Sequence, residues 1–266
     1  MRIARFTTGE EPQYGVVTGD VDELGIPADD AKIVALAGDP LYVGVQLTDT
    51  EVSLADVRLL APVIPRSKVV GIGKNYAAHA AEMGGDVPAE PLMFLKPNTS
   101  VVGPGDPVFY PRQSSEVHYE GELAVVISRI CKDVPLERVA DVIYGYTCAN
   151  DVTARDLQRA DGQWARAKGF DTFCPLGTWI ETELDTSDLK VTTHLNGDLV
   201  QDGTTKDMVF DVPTLVAYVS SVMTLLPGDV ILTGTPEGVG PMNVGDEVEV
   251  TVAGIGSLTS KVVSRD

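Results

Sequence analysis

Positive charge is scarce in this sequence of 266 residues, which has 20 lysines and arginines against 39 aspartates and glutamates. The formal net charge is −19 at pH 7, and the sequence pI is about 4.4. Nucleic acids and anionic membranes both bind basic protein surfaces, so the composition argues against either as a partner. An anionic substrate would have to be held by a few local cations against a repulsive background.

Cysteines and long apolar runs are also rare. The three cysteines, Cys131, Cys148 and Cys174, are odd in number and fit no Cys-x-x-Cys spacing, which predicts reduced, buried thiols. The N-terminal segment has no apolar run long enough for a signal peptide, and no later stretch is apolar enough to span a bilayer. These absences predict a cytoplasmic protein.

Prolines mark a domain junction near residues 60–66. The string "LLAPVIPRSKVVGIGKNY" places Pro62 and Pro65 directly before an apolar strand, and a turn-rich acidic stretch precedes it. A chain of this length has room for a large domain beside a small one. The sequence therefore predicts a small N-terminal α+β domain over residues 1–63 and a larger domain over residues 64–266.

Strand patterns dominate the larger region. Asn196-Gly197 lies between apolar flanks in "VTTHLNGDLVQ", which is a strong hairpin signature. The string "VGDEVEVTVAGIGSLTSKVV" predicts two closing antiparallel strands. Helical patterns are fewer, and they cover residues 76–83, 135–143, 153–161 and 212–223. Because strands and helices do not alternate regularly, the predicted class is α+β with mostly antiparallel sheet.

Two glutamates lie two residues apart in "HYEGELAVVI", directly before an apolar run. Residues i and i+2 of a strand point to the same face, so Glu120 and Glu122 would project side by side. Two neighbouring buried carboxylates repel each other and cost on the order of several kcal/mol unless a cation neutralises them. The spacing therefore raises the question of what that cation is.

A third carboxylate, Asp151, ends the apolar strand of "YGYTCANDVTARDLQ" and precedes a helical pattern. Asp is also favoured at helix N-caps, which is the ordinary alternative for this residue. With the two glutamates it would complete a set of oxygen ligands, and no cysteine or zinc-spaced histidine pair accompanies it. Oxygen ligands suit Mg²⁺, Mn²⁺ or Ca²⁺ rather than zinc. Sequence spacing alone leaves both roles of Asp151 open.

His79 and Glu82 are three residues apart in "NYAAHAAEM" and would share one face of a helical turn. A carboxylate beside an imidazole orients the ring and raises its basicity, which gives a base that can activate water. The alternative is an ordinary histidine on a surface helix. Gly84 and Gly85 follow the pair and suit a mobile lid.

Six strings carry a likeness to a known family, and they occur in that family's order from about residue 68 onward: "GKNYAAHAAEM", "PLMFLKPNTSVVGPGDPV", "HYEGELAVVI", "GYTCANDVTARDLQ", "AKGFDTFCPLG" and "LTGTPEGVGP". In them the chain resembles the fumarylacetoacetate hydrolase family. It is most similar to the small acylpyruvases, oxaloacetate decarboxylases and 2-hydroxyhepta-2,4-diene-1,7-dioate isomerases. The resemblance implies a mixed, mostly antiparallel β-sandwich roll and a homodimer.

The resemblance also implies a role for each matching residue, although an Arg or Lys in an arbitrary sequence is more often a solvated surface charge. It implies three ligands for Mg²⁺ or Mn²⁺, with Ca²⁺ also compatible: Glu120, Glu122 and Asp151. It implies three catalytic residues: His79, Glu82 and Lys168. It implies four contacts with a small anionic keto-acid substrate: Arg155, Gln158, Lys96 and Thr235.

The predicted function is metal-dependent cleavage of a C–C bond in a β-keto acid such as an acylpyruvate or oxaloacetate. Hydrolysis or decarboxylation would proceed through a metal-stabilised enolate. One rival is isomerisation of 2-hydroxyhepta-2,4-diene-1,7-dioate or 5-carboxymethyl-2-hydroxymuconate, which needs no activated water, so the His79–Glu82 pair favours hydrolysis. A remote rival is a non-catalytic metal-binding β module, which would leave that pair and Lys168 without a role.

Overall fold

The computed structural model describes residues 1–265, and Asp266, the last residue of the predicted larger domain, lies outside it. Its strands are β1 (Arg2–Thr7), β2 (Gln13–Thr18), β3 (Lys32–Leu36), β4 (Leu47–Ser53), β5 (Arg58–Leu60), β6 (Val69–Gly73), β7 (Leu92–Lys96), β8 (Val101–Val102), β9 (Val108–Tyr110), β10 (Val117–His118), β11 (Gly121–Ile127), β12 (Ile143–Asn150), β13 (Thr153–Ala154), β14 (Cys174–Pro175), β15 (Ile180–Glu181), β16 (Lys190–Leu195), β17 (Asp198–Thr204), β18 (Val230–Leu232), β19 (Pro241–Met242), β20 (Glu247–Val252) and β21 (Gly256–Ser264). Its α-helices are α1 (Pro40–Val43), α2 (Ala77–Glu82), α3 (Arg155–Ala160), α4 (Ala165–Lys168) and α5 (Val212–Val222). Short 3-10 helices cover Leu54–Asp56, Asn98–Ser100, Leu136–Val142 and Thr205–Asp207.

One large sheet runs through the molecule in the strand order β4-β3-β2-β1-β15-β12-β11-β18-β6-β7, with β5 paired on β1. Its strands pair antiparallel except for β6 and β18, which are parallel. There is also a five-stranded sheet, with the order β17-β16-β20-β21-β9. Side chains from this sheet and from the large sheet pack into one apolar core. These layers confirm the predicted α+β fold with mixed, mostly antiparallel sheets.

Strand β11 is buried on both faces, which explains its unbroken apolar run. Leu123 and Val125 belong to a core that also includes side chains of α5 and of the five-stranded sheet. Ala124 and Val126 face a second core that contains residues of β18 and β15. The start of β11 is therefore held firmly from both sides.

The predicted hairpin at Asn196-Gly197 is confirmed. Both residues have positive φ, +53° and +87°, and they connect β16 to β17, as a two-residue hairpin turn requires. The predicted closing strands are confirmed as the antiparallel pair β20 and β21. Helices α2, α3 and α5 lie within the predicted ranges 76–83, 153–161 and 212–223.

The helical pattern predicted over residues 135–143 forms a 3-10 helix, Leu136–Val142, rather than an α-helix. Val139 and Val142 are its buried residues, whereas Leu136 is exposed. A spacing of three residues per turn stacks positions i and i+3, which places both valines on the core side. The apolar spacing fits either kind of helix at this length.

The N-terminal region extends the large sheet. Strand β1 pairs with β15, with Ile3 opposite Ile180, and both side chains belong to one apolar core. The domain boundary at residue 63 stays a prediction. No helix among residues 1–265 is long and apolar enough to cross a membrane.

The three cysteines form no disulfide within the described chain. Cys148 and Cys174 are buried, as predicted, whereas Cys131 is only half-buried. Burial raises the pKa of both buried thiols to about 12, so they stay protonated at neutral pH.

An ion pair between a fully buried aspartate and a partly exposed lysine joins the starts of the parallel strands β6 and β18. Asp229 is fully buried, and its carboxylate accepts hydrogen bonds from Lys68 Nζ at 2.6 Å, from the Lys68 N–H at 3.1 Å and from the Leu226 N–H at 2.9 Å. Lys68 immediately precedes β6, and Asp229 immediately precedes β18. The pair therefore fixes the register of the parallel strands.

Replacing Asp229 by Ala should lower the free energy of unfolding by about 3–5 kcal/mol, because Lys68 and two N–H groups lose their partner. Urea denaturation followed by circular dichroism measures the change. The matched control is Glu51→Ala, which breaks the exposed Glu51–Lys32 pair and should cost less than about 1 kcal/mol. Equal losses in the two variants would contradict the role assigned to Asp229.

Candidate active site

The antiparallel pairing of β11 with β12 brings three carboxylates together. Gly121 lies opposite Asn150. Glu120 and Glu122, on either side of Gly121, therefore lie close to Asp151, which follows Asn150. The Asp151 N–H donates to the Glu120 carbonyl at 2.8 Å. Carboxylate oxygens of the three residues lie within 4.8 Å of one another, and all three side chains are buried. We call Glu120, Glu122 and Asp151 the acidic triad.

Two buried cations bind Glu120. Arg155 Nη2 donates to Oε1 at 2.5 Å, and Lys168 Nζ donates to Oε2 at 2.6 Å. Lys168 also donates to Asp151 Oδ2 at 2.6 Å. Burial alone would raise the pKa of Glu120, but Lys168 and Arg155 hold that pKa well below its ordinary range. Glu120 is therefore ionised at neutral pH.

Lys168 stays charged for the complementary reason. Burial acts to lower the pKa of its ammonium, yet the carboxylates of Asp151 and Glu120 raise that pKa above its ordinary value. Lys168 Nζ also lies 4.9 Å from the centre of the Phe94 ring. A cation–π contact adds to the attraction from the carboxylates.

Among the residues that the structure describes, no lysine or arginine forms an ion pair with Glu122. Its carboxylate accepts one hydrogen bond, from the Gly234 N–H at 2.7 Å. Burial, followed by repulsion from Asp151 and Glu120, raises the pKa of Glu122 well above its ordinary value. In the protein alone, ionised Glu122 is therefore unfavourable.

The donor chemistry of the acidic triad fits Mg²⁺ or Mn²⁺. Hard divalent cations take carboxylate oxygens, and a dication would remove the repulsion that disfavours ionised Glu122. Among residues 1–265, this is the one group of three or more His, Cys, Asp or Glu side chains placed to hold a metal ion. The metal site predicted from the spacing therefore has the necessary geometry.

Replacing Glu122 by Gln should stabilise the protein without metal at neutral pH. The pKa of Glu122 is higher in the folded state than in the unfolded state. Protonated Glu122 therefore contributes its full stabilisation below the unfolded-state pKa, and this contribution is lost as pH rises through the folded-state pKa. Gln cannot ionise, so the variant escapes this loss. After chelation, its Tm should exceed that of the wild type by about 2 °C or more at neutral pH and match it in acid. Parallel Tm curves would contradict the shift.

Lys96 lies behind the acidic triad. It is 1% exposed, and its Nζ pairs with Asp151 Oδ1 and lies 3.4 Å from the Val152 carbonyl oxygen. It does not line the cavity described next. The predicted contact of Lys96 with substrate is therefore unsupported, because the end of β7 turns this side chain inward to neutralise Asp151.

A cavity of about 190 Å³ opens beside the acidic triad. It is lined by seven of the predicted site residues: His79, Glu120, Glu122, Arg155, Gln158, Lys168 and Thr235. It is also lined by residues that the sequence did not single out: Ile72, Gly73, Lys74, Met83, Arg159 and Trp164. The wall thus combines cations with apolar side chains.

Helix α2 brings His79 to the cavity, with Glu82 hydrogen-bonded to the ring from behind. His79 Nδ1 lies 3.1 Å from Glu82 Oε2, and His79 is 5% exposed. Glu82 Oε1 accepts a hydrogen bond from the Gly238 N–H at 3.1 Å. Glu82 therefore orients the ring through Nδ1, connects α2 to the loop after β18, and leaves Nε2 for proton transfer.

Arg155 connects the triad to a second polar group. Its Nη1 donates to Gln158 Oε1 at 2.6 Å while Nη2 binds Glu120. Both residues come from α3, which begins directly after β13. Gln158 is therefore oriented by the same guanidinium that neutralises the triad.

Thr235 lines the cavity, but protein groups already engage its hydroxyl. It donates to the Gly121 carbonyl at 2.9 Å and accepts from Gln201 Nε2 at 2.8 Å. Gln201 Oε1 accepts from the Gly121 N–H at 3.0 Å and from Thr193 Oγ1 at 2.7 Å. Gln201, a buried polar residue that the sequence did not single out, thus fixes the backbone between the two glutamates.

The fold and the site together define a class of protein: a β-sandwich with a buried acidic triad, flanking cations and a histidine–glutamate pair grouped around one cavity. The chain belongs to the fumarylacetoacetate hydrolase family, since the family model "Fumarylacetoacetate (FAA) hydrolase C-terminal" matches residues 68–263. A second model, "Rv2993c-like, N-terminal", matches residues 1–62. The resemblance seen in the sequence is thereby confirmed.

Several relatives match nearly the whole chain, and two of them illustrate the range. "Protein Rv2993c" of Mycobacterium tuberculosis is 51% identical over 271 residues, which span 100% of this chain and 99% of that protein. "Oxaloacetate tautomerase Fahd2a, mitochondrial" of Rattus norvegicus is 42% identical over 287 residues, which span 99% of this chain and 92% of that protein. The likeness therefore covers the N-terminal region as well as the site.

Two solved structures extend the comparison. A 5-carboxymethyl-2-hydroxymuconate delta-isomerase from Mycobacterium smegmatis is 50% identical, with a TM-score of 0.91 and 100% coverage of both chains. A maleylpyruvate hydrolase from Sphingobium sp. SYK-6, in complex with manganese(II) and pyruvate, is 34% identical, with a TM-score of 0.79 and 100% coverage of both chains. The names of these relatives thus span tautomerisation, isomerisation and hydrolysis.

Proposed function

We propose that this protein is a Mg²⁺- or Mn²⁺-dependent enzyme that interconverts enol and keto forms of small 2-oxo dicarboxylates, with oxaloacetate as the first compound to test. One observation carries the proposal: His79, which is hydrogen-bonded to Glu82, lines the same cavity as Glu120 and Glu122 of the acidic triad and the buried cations Arg155 and Lys168. Enol–keto interconversion needs a group that moves a proton at carbon and a site that stabilises charge on the neighbouring oxygen.

The charges of the site favour a dianion. Glu120, Glu122 and Asp151 would hold the divalent ion, which when bound supplies Lewis-acid stabilisation of negative charge on the substrate's 2-oxygen. The three triad carboxylates are balanced by three buried cations, Lys96, Lys168 and Arg155. A dication therefore leaves the ionised site with two positive charges, which match the two carboxylates of a 2-oxo dicarboxylate.

His79 is the group that would move the proton. In the keto-to-enol direction its Nε2 accepts a proton from the substrate carbon next to the keto group, and the 2-oxygen takes up a proton from the imidazolium or from water; the reverse reaction removes the oxygen's proton and returns one to carbon. Glu82 holds Nδ1 and stabilises the imidazolium, and Gly238 holds the other oxygen of Glu82. The apolar side chains of Ile72, Met83 and Trp164 limit the access of water to this proton.

The second candidate function is the C–C bond cleavage predicted from the sequence. The inference that His79 and Glu82 favour hydrolysis does not discriminate, because a base is equally necessary for proton transfer at carbon. The relatives named tautomerase and isomerase, at 42% and 50% identity, support proton transfer. The maleylpyruvate hydrolase, at 34% identity, supports cleavage.

The test is a substrate panel run with Mg²⁺, with Mn²⁺ and after treatment with EDTA. The compounds are oxaloacetate, acetylpyruvate, fumarylpyruvate and 2-hydroxyhepta-2,4-diene-1,7-dioate. Loss of the enol absorbance and deuterium exchange at C3 report proton transfer, whereas pyruvate formation reports C–C cleavage. We expect metal-dependent enol–keto interconversion of oxaloacetate to exceed pyruvate formation. The absence of any metal-dependent acceleration across the panel would overturn the proposal.

Replacing Lys168 by Met should lower kcat/KM by roughly 30- to 1000-fold, or about 2–4 kcal/mol of transition-state stabilisation. The variant removes the cation that binds both Glu120 and Asp151 and that lines the cavity. Arg166→Met is the matched control, since Arg166 lies in the same helix but is exposed and pairs only with Asp161. A Lys168→Met enzyme within twofold of the wild type would refute this role.

A further inference from the structure

Lys74 is a cation of the cavity wall that has no carboxylate partner. It lies between β6 and α2, is half-buried and lines the same cavity as the acidic triad. No ion pair joins its ammonium to any of residues 1–265. Its Nζ lies beside Gly85, where an added Cβ would overlap it, and an unpaired ammonium next to the cavity of so acidic a chain is available to a ligand.

The backbone of Lys74 is held in a conformation that lysine rarely adopts. Its φ is +58°, in the left-handed region. Gly and Asn are tolerated there far better than residues with long side chains. Strained residues of this kind persist where surrounding structure imposes them, and they cluster at binding and catalytic sites. Lysine at this position therefore costs free energy in backbone strain.

Two aromatic rings connect the surroundings of Lys168 to those of Lys74. Lys168 Nζ lies 4.9 Å from the centre of the Phe94 ring, and the Phe94 and Trp164 rings are 5.5 Å apart. Trp164 packs against Gly73, the neighbour of Lys74, because a Cβ on Gly73 would lie 2.7 Å from Trp164 Cζ3. Along the cavity wall, Lys168 at the triad is therefore followed by the aromatic side chain of Trp164 and then by Lys74.

We propose that Lys74 binds the second carboxylate of a 2-oxo dicarboxylate and so gives the enzyme its preference for dianions. The inference rests on the proposed function, and it places the 2-oxo acid end near Lys168 and Arg155. The carbon chain lies along Trp164, and the far carboxylate meets the Lys74 ammonium. The cavity would then distinguish dicarboxylates from monocarboxylates of the same length.

Arg159 is the rival cation on the same wall. Its Nη1 lies 3.3 Å from Glu116 Oε1, and its Nη2 pairs with Glu116 Oε2. Since Glu116 already holds both terminal nitrogens of its guanidinium, Arg159 is less available to a carboxylate than Lys74. The experiment includes Arg159 so that the two cations are told apart.

The experiment measures dissociation constants by calorimetry with the Mn²⁺-loaded full-length protein. The probes are two pairs that differ only in a terminal carboxylate: 2-oxoglutarate with 2-oxopentanoate, and 2-oxoadipate with 2-oxohexanoate. Wild type should bind the dianion at least about tenfold more tightly in one pair or both, as expected for one charged contact. Lys74→Met should bring that ratio close to one, and Lys74→Arg should retain most of it. Arg159→Gln and the distant, exposed Lys261→Met should leave the ratio unchanged.

A second measurement separates binding from structural damage. Lys74→Asn removes the ammonium but suits a positive φ, so its Tm should rise above that of the wild type while the preference for dianions is lost. A merely structural lysine would not combine these two effects. A Lys74→Asn protein that keeps the wild-type ratio would overturn the proposal.

The remaining outcomes separate this inference from the proposed function. An unchanged dianion ratio in Lys74→Met, a wild type without a dianion preference, or loss of the preference in Arg159→Gln alone overturns the role of Lys74. If the substrate panel is still turned over, the proposed function stands. If dianions bind in a Lys74-dependent manner but no compound of the panel is turned over, the proposed function fails and the binding role of Lys74 stands.

Discussion

Glu122→Gln should abolish metal-dependent turnover, by at least about a thousandfold, in a protein that remains fully folded. Loss of this ligand removes the stabilisation of charge on the substrate oxygen, and a thousandfold corresponds to about 4 kcal/mol. Glu122 is the best choice because it has no cationic partner, so its neutral replacement leaves no buried cation unpaired. The same variant should be more stable than the wild type after chelation. Glu122 would then be necessary for activity while lowering the stability of the protein without metal.

Glu120→Ala and Asp151→Ala should also abolish turnover, but they differ in stability. Glu120 binds Arg155 and Lys168, and Asp151 binds Lys168 and Lys96. Removing either carboxylate leaves buried cations uncompensated, which costs about 3–5 kcal/mol. Activity with added Mg²⁺ or Mn²⁺, thermal unfolding and circular dichroism measure the three variants beside Glu249→Gln, a change at a half-exposed carboxylate outside the cavity lining. Full activity in any triad variant, or after exhaustive chelation, would refute the metal site.

His79→Ala should slow enol–keto interconversion about 10²–10⁴-fold, the usual range for loss of a general base. Acylpyruvate hydrolysis should fall by a similar factor if the enzyme catalyses it, because water activation needs the same base. Decarboxylation should fall less, since loss of CO₂ requires no base at the start. Measuring all three reactions on the one variant therefore shows which of them depends on the ring.

Glu82→Gln is the companion variant for His79→Ala. It keeps the shape of the side chain but removes the charge that orients the ring and stabilises the imidazolium, so its effect should be smaller and should fall mainly on kcat. His194→Ala, which removes a histidine from β16 outside the cavity, is the control. If all reactions survive His79→Ala unchanged, α2 reverts to an ordinary helix that covers the cavity.

Local spacing made much of the site predictable. The i, i+2 relation of Glu120 and Glu122 and the i, i+3 relation of His79 and Glu82 depend only on the geometry of one strand and one helical turn. Asp151 could be added because it ends an apolar strand. That Asp151 meets Glu120 and Glu122 was implied by the family resemblance rather than by the spacing itself, and the pairing of β12 with β11 that brings them together was not predicted.

The remaining features depend on contacts between distant segments. Gln201 reaches Gly121 across 80 residues, and Lys96 meets Asp151 across 55. No local pattern indicates which strand end faces which, so the inward turn of Lys96 and the role of Gln201 were not predictable. Trp164 and Lys74 lie in short irregular segments, where neither a period of two nor one of 3.6 applies.

The Gly234 N–H, which donates a hydrogen bond to Glu122, belongs to the loop after β18, and the ribosome adds it 112 residues after Glu122. At synthesis rates of about 5–20 residues per second, a ribosome needs roughly 6–22 seconds to pass from one to the other. During that time the nascent chain has β11 without its neighbour β18, and water can still hydrate Glu122. Repulsion within the triad therefore strengthens when β18 joins β11 and water is excluded from Glu122. A stalled chain that ends before residue 230 would lack Thr235 of the cavity wall and would have no activity.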